Sequence, residues 1–101
     1  MVNRLRRLPQ AEQDLSDIWL NIALDSVRAA DKLLERLWDA ERLLCEHPLV
    51  GRNRDDLERG LRSWPVGSYV IFYRLDQAQT IIARVLWGAR NLPYLFRPPP
   101  A

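Results

Sequence analysis

Between Ala11 and Ala23 the apolar positions are Ala11, Leu15, Ile18, Trp19, Ile22 and Ala23, spaced four, three, one, three and one residues apart. On an α-helix this spacing gathers them into one stripe, so the pattern predicts an amphipathic helix with a single buried face. Pro9 suits its first turn, where no N–H is needed. Glu12, Asp14 and Asp17 favour its N-terminal end electrostatically. Leu20 and Leu24 fall off the stripe, roughly on the opposite side. Ser26 is a good N-cap for a second helix, whose inner positions Ala30, Leu33, Leu34, Leu37, Trp38, Leu44 and Cys45 again follow three-and-four spacing. That helix must end before Pro48, because the residue ahead of a proline is pushed out of the helical region. The break between the two is short, which makes them an antiparallel hairpin. Trp19 and Trp38, on the stripes, are expected in the core.

The period then changes from helix to strand. Residues 2–8 read as a short first strand and residues 49–58, polar and charged, as a loop. Residues 61–64, 69–75 and 80–87 are rich in β-branched and aromatic side chains and predict three strands. Residues 65–68 and 76–78 separate them, each short enough for a hairpin. In the last strand Ile81, Ala83, Val85 and Trp87 alternate with Ile82, Arg84 and Leu86; in the one before it, Tyr69, Ile71, Tyr73 and Leu75 alternate with Val70, Phe72 and Arg74. One face of this antiparallel meander is expected to pack on the helical hairpin, with Trp64 as sheet-face core. The expected fold class is therefore α+β with two layers, in the order β-α-α-β-β-β, followed by a short apolar C-terminal segment at residues 91–96. Residues 1–97 form a single domain and the proline-rich tail, 98–101, is extended or disordered.

Composition adds little until the charge is divided. The chain has 101 residues, 48% hydrophobic and 28% charged, which suits one globular domain. Cys45 is the sole cysteine, so an internal disulfide is excluded and a reducing compartment is expected. Neither a signal peptide nor an apolar run of membrane-spanning length is visible, and a cytoplasmic location with no membrane partner follows as an expectation. Residues 1–49 carry seven basic and nine acidic groups, net −2, whereas residues 50–101 carry eight and four, net +4. Those eight are all arginine, while Lys32 is the chain's one lysine. Arginine's planar fork suits carboxylate and phosphate, so this half points to an acidic protein or nucleic acid. A GC-rich genome would also raise the arginine count, but would not change the sign between halves.

The candidate chemistry is sparse. One Cys and one His cannot make a metal site, the four glycines are isolated, and no nucleotide cofactor is implied. Cleavage of RNA requires one group to take the 2′-hydroxyl proton and another to protonate the leaving oxygen. Arginine serves neither purpose because it stays charged. The remaining candidates are Tyr69, Tyr73 and Tyr94, with Asp55, Asp56 and Glu58. His47 stands at a helix end beside Pro48, in a capping position. Cys45 reads as a small core residue.

Four stretches, in order, resemble the ParE branch of the RelE/ParE superfamily. Residues 9–19, PQAEQDLSDIW, look like the family's opening helix. Residues 46–52, EHPLVGR, are similar to its His/Asn-Pro-x-x-Gly helix exit. Residues 60–74, GLRSWPVGSYVIFYR, look like its paired strands, with Arg62 in the Gly-x-Arg element. Residues 84–92, RVLWGARNL, resemble its closing motif, with Trp87 where many relatives have histidine and Asn91 where many have aspartate. Tryptophan lacks acid–base capacity, so a proton shuttle at that position is lost.

This resemblance implies a toxin without catalytic residues, one that binds DNA gyrase, traps its cleaved-DNA intermediate and blocks replication. It also implies a cognate ParD-like antitoxin whose acidic C-terminal segment wraps the toxin and whose N-terminal part binds DNA, so that the toxin meets DNA only indirectly. Candidate gyrase-binding residues are Arg84, Trp87, Arg90 and Tyr94, because arginine and large aromatics dominate interface energies. Candidate antitoxin-binding residues are Leu20, Leu24, Arg62, Arg74, Leu95 and Phe96: apolar positions that one core does not absorb, and arginines that would pair with carboxylates. Burial of the helix on more than one side, or a solvated arginine edge that discourages strand pairing, would account for the same residues. Two other functions stay open: a RelE-like ribosome-dependent mRNA endoribonuclease, and a relative without potent activity that only forms a complex.

Overall fold

The computed structural model describes residues 4–88. β1 (Arg4–Arg7) leads into α1 (Pro9–Ala23) and α2 (Val27–Glu46), followed by β2 (Arg52–Asn53), β3 (Arg62–Val66), β4 (Tyr69–Asp76) and β5 (Gln79–Trp87). Pro9 opens α1. At the start of α2 the Ser26 hydroxyl accepts the Ala29 N–H at 3.1 Å, satisfying one of the helix's orphan donors. At its other end His47 is the C-cap, its N–H donating to the Leu43 carbonyl at 2.8 Å. The expected order of strand, helical hairpin and antiparallel meander is the one adopted. Residues 91–96 and the tail 98–101 lie outside the described residues.

The strands form one sheet in the order β1-β5-β4-β3-β2, with β1 parallel to β5 and the other neighbours antiparallel. The hairpin lies on one face. Leu15, Leu37 and Leu44 meet Ile71, Tyr73, Ile82 and Val85 there, in the main core. A smaller cluster of Leu57, Leu61, Phe72, Ala83 and Leu86 covers part of the other face, so the sheet is apolar on both sides. The buried Glu41 of α2 holds β1 in place by accepting two hydrogen bonds from Arg7, from Nε at 2.8 Å and from Nη2 at 2.6 Å.

Several expectations need correction. Residues 49–58 are not wholly loop, since Arg52 and Asn53 pair with Ser63 and Arg62 as β2. β3 continues through Pro65 to Val66. Pro65 pairs with Val70 on one side and lies beyond the two residues that β2 covers on the other. Its missing N–H therefore leaves no ladder bond unmade. The turn shrinks to Gly67 and Ser68, with Gly67 at φ 58°, a region glycine enters without steric cost.

The alternation in β5 is broken as well. Phe72 faces Arg84 while the next residue, Tyr73, faces Ile82, so Ala83 is an extra residue in a β-bulge. Ile82 and Val85 consequently share the helix-facing core, and Ala83 and Leu86 the opposite cluster. Trp38 is 47% exposed rather than core. The line Ala30–Leu37–Leu44 points at the sheet, and Trp38 is rotated about 100° from Leu37 around the helix. Trp19 is half-buried, its indole N–H donating to Asp31 at 2.9 Å. Trp64 packs half-buried against the main core, and Cys45 is buried.

Candidate protein-interaction surfaces

The arginines expected to face a partner are largely engaged within the fold. Arg84 donates to the Asp14 carboxylate from Nε at 2.8 Å and from Nη2 at 3.0 Å, and the Val85 N–H adds a third bond to Asp14 at 3.0 Å. These bonds lie next to the bulge, where the extra residue Ala83 interrupts the β4–β5 ladder. Asp14's hydrogen bonds hold the Arg84 guanidinium above its ordinary pKa, against the opposing effect of burial. Arg74 is ion-paired with Glu58. Arg62 donates to the carbonyls of Gly51 at 2.8 Å and Leu49 at 3.3 Å, closing the loop before β2. Arg90, Tyr94, Leu95 and Phe96 lie outside the described residues.

Tyr69 apart, the expected proton-moving groups among the described residues are committed too. Tyr73 is fully buried; its hydroxyl accepts the Gly51 N–H at 2.9 Å and donates to the Pro48 carbonyl at 2.8 Å. Burial pushes this phenol above its usual pKa, the wrong direction for a base. Asp56 is bound by Arg54, whose hydrogen bonds hold its carboxyl below the usual range. Asp55 accepts the Gly60 N–H at 2.8 Å. Tyr73 also explains the helix-exit glycine, since a Cβ at Gly51 would overlap the phenol ring and hydroxyl. Gly51→Ala is expected to cost about 1–3 kcal/mol through overpacking, and Tyr73→Phe a similar amount through two stranded backbone groups. Urea unfolding midpoints check both, and a midpoint unmoved by Tyr73→Phe would remove the hydroxyl's role as a latch.

Apolar side chains are left open on the hairpin, as they are at Leu5, Leu49, Val50 and Trp87. Leu20, Leu24, Val27 and Trp38 are large hydrophobic residues from about half to 86% exposed. Leu20 and Trp38 line a groove of about 510 Å³ with Trp19, Leu15 and Leu34, and Arg7 and Glu12 stand at its border. The sequence singled out Leu20 and Leu24, but Val27 and Trp38 were missed. The signal available for Trp38 was its offset from the seven-residue line of Leu37 and Leu44. A second, polar cleft of about 430 Å³ opens on the opposite flank of α1, against the end of β5, where Asp14, Asp17, Asn21, Tyr69, Arg84 and Trp87 come together. Trp87 is 54% exposed there.

Among known proteins, the family model described as ParE toxin of type II toxin-antitoxin system, parDE, matches residues 5–92. The chain is similar to Toxin ParE3 of Caulobacter vibrioides, with 30% identity over 90% of this chain and 92% of that protein. It is also similar to Toxin ParE1 of Mycobacterium tuberculosis, with 33% identity over 85% and 90%. Among solved structures, a chain of the chromosomal ParDE system from P. aeruginosa shares the fold, with a TM-score of 0.73 at 18% identity over 85% of this chain and 96% of that one. A chain of the RelBE2 toxin–antitoxin complex from Mycobacterium tuberculosis gives a TM-score of 0.60 at 25% identity, covering 86% and 99%.

Proposed function

The chain belongs to the ParE toxin family of type II toxin–antitoxin systems, and from that premise we propose that it acts by binding alone, as an inhibitor of DNA gyrase that a ParD-like antitoxin neutralises in the cytoplasm. One observation carries the non-catalytic reading. The expected acid–base groups within the described residues, Tyr69 apart, already bind partners inside the fold: Tyr73 holds the backbone of residues 48 and 51, Asp55 and Asp56 order their own loop, and Glu58 pairs with Arg74. Tyr69 is half-buried in the α1–β5 cleft. No imidazole lines that cleft among the described residues, Asp14 is spent on Arg84, and Asp17 is the one carboxylate left beside this phenol. Arginine can grip phosphate or carboxylate but does not exchange protons near neutral pH.

The antitoxin's place in this proposal is the hairpin face. Exposed Leu20 and Trp38 on a groove, with Leu24 and Val27 also exposed on the hairpin, mark a partner surface, and an amphipathic segment laid into such a groove buries its apolar lining by the helix-in-groove mode. Antitoxin carboxylates would meet exposed Arg52 and Arg59 rather than Arg84, which has its own carboxylate. No described helix is long and apolar enough to cross a membrane.

Purified protein is expected to inhibit gyrase supercoiling and to accumulate linear DNA, with both effects reversed by stoichiometric antitoxin. The likeness to a RelBE complex makes mRNA cleavage on translating ribosomes the comparison assay. Intact gyrase activity together with cleaved mRNA would replace this reading with the ribonuclease. For the antitoxin face, Leu20→Glu is expected to weaken antitoxin binding about 30-fold or more, the effect of losing one hot-spot residue of about 2 kcal/mol. Leu20 is exposed in the free toxin, so the variant's melting temperature should match wild type. An unchanged Kd would move the antitoxin to another face.

A further inference from the structure

We propose that the cleft between α1 and the end of β5 captures a basic side chain, arginine by preference, from the antitoxin segment that lies along α1. Its charge is the first reason. Two carboxylates, Asp14 and Asp17, face one guanidinium, Arg84, and among the described residues no other charged group lines the cleft. Asp14 and Arg84 neutralise one another through two hydrogen bonds. The charge left over is that of Asp17, which is exposed and accepts the Gln13 side-chain N–H at 2.9 Å through one oxygen. Its other oxygen is unengaged among the described residues. An anionic guest would have to displace Asp14 from Arg84 and then sit beside Asp17, so the cleft selects a cation.

The second reason is its walls. Tyr69 and Trp87 are direct partners across β4 and β5 and stand side by side on the sheet face that borders the cleft. Tryptophan is the strongest aromatic platform for a cation, and a guanidinium adds planar stacking that an ammonium lacks. A guest stacked on this pair would direct its N–H groups towards Asp17 and the side chain of Asn21, both on α1. The strand that supplies Trp87 is held against α1 by the Asp14 bonds to Arg84 and Val85, so the platform and the carboxylate keep their spacing without a ligand.

The third reason is position. Leu20 lines the hairpin groove and its chain neighbour Asn21 lines the cleft; both are exposed on α1. A segment that covers Leu20 and Leu24 passes over the ridge between the two depressions. It can then seat an apolar side chain on one flank and a basic one on the other. This assignment of the occupant rests on the antitoxin reading above, whereas the cation preference of the cleft does not.

Two measurements separate them. Full-length, ¹⁵N-labelled protein is titrated with N-acetyl-arginine amide and, in parallel, with its neutral citrulline counterpart. The arginine compound is expected to shift the Trp87 indole N–H and the Asn21 signals saturably, and the citrulline compound to leave them in place. Asp17→Asn and Trp87→Ala should each weaken the response about threefold or more. Absence of a shift, or an equal shift with citrulline, overturns the cation site and leaves the antitoxin reading standing. Asp17→Arg is then tested for binding to the cognate antitoxin, with affinity expected to fall about tenfold at low salt, and the loss to shrink as salt rises. Unaltered antitoxin affinity in a protein that still binds the arginine amide through Trp87 overturns the antitoxin as occupant. Asp17 and Trp87 are exposed, and matching circular dichroism melts exclude misfolding as the cause.

Discussion

Asp14→Ala is expected to destabilise the fold by about 3 kcal/mol, the lower end of the range for removing one partner of a buried ion pair. Asp14 and Arg84 are only 10% and 20% exposed as side chains, so their attraction is little screened by water. The lower end is chosen because part of the guanidinium would rehydrate once freed. Three donors lose their acceptor together: Nε and Nη2 of Arg84, and the amide of Val85. That amide lies beside the bulge in β5, where the ladder is locally interrupted. For a domain of this size a melting-temperature fall of roughly 12–24 °C follows, at about 4–8 °C per kcal/mol. Adding Arg84→Met to the Asp14→Ala background should recover part of the loss, because it removes the stranded charge. Differential scanning calorimetry on the two variants tests the argument. A fall of less than about 4 °C for Asp14→Ala would mean the pair holds little of the α1–β5 interface.

The second large effect is expected at Arg7→Ala. Its partner Glu41 is 2% exposed and lies under β1, so truncation leaves a buried carboxylate facing a void. The expected cost is about 4 kcal/mol, within the range for an orphaned buried charge. It should appear locally before it appears globally. Among the described strands β1 stands at the sheet edge and pairs with β5 alone, and the bond from the Leu8 N–H to the Ile82 carbonyl, at 3.0 Å, closes its end. Hydrogen exchange at Leu8 should therefore accelerate more than exchange within β4. The double variant Arg7→Met/Glu41→Met should return near wild-type stability, since well-packed apolar side chains often replace a buried ion pair without loss. If the double variant is as unstable as Arg7→Ala, the charge is not what orders β1. Because Arg7 borders the hairpin groove, the single variant should also bind antitoxin less well, in proportion to the fraction of molecules with β1 undocked.

How the arginines behave shows why charge counts alone mislead. Eight arginines in residues 50–101 suggested a surface ready for carboxylate or phosphate, yet Arg84, Arg74 and Arg54 already have carboxylate partners in this chain. Arg84 is tied to a residue 70 positions away, and no local pattern records such a pairing. Among the described residues only Arg84–Asp14 joins the basic half to the acidic one; Arg7–Glu41 lies within the first half, and Arg74–Glu58 and Arg54–Asp56 within the second.

The sequence by itself determined every described element except β2, which it read as loop. Helix spacing placed α1 and α2, Ser26 and Pro9 marked their starts, Pro48 their limit, and β-branched and aromatic runs placed β3, β4 and β5. These are local properties, because a side chain's direction within one element follows from its period of 3.6 or 2. The exposure of Leu20 and Leu24 was legible for the same reason. Only the tertiary structure decided which elements met: β1 parallel beside β5, the bulge at Ala83 that reversed the later faces of β5, and the pairing of Asp14 with Arg84. It also turned Trp38 outward and brought Asp17, Tyr69 and Trp87 around one cleft. Each of these depends on distances between residues far apart in the chain, fixed by packing hydrophobic volume and matching buried charges across layers, and periodicity carries no record of either.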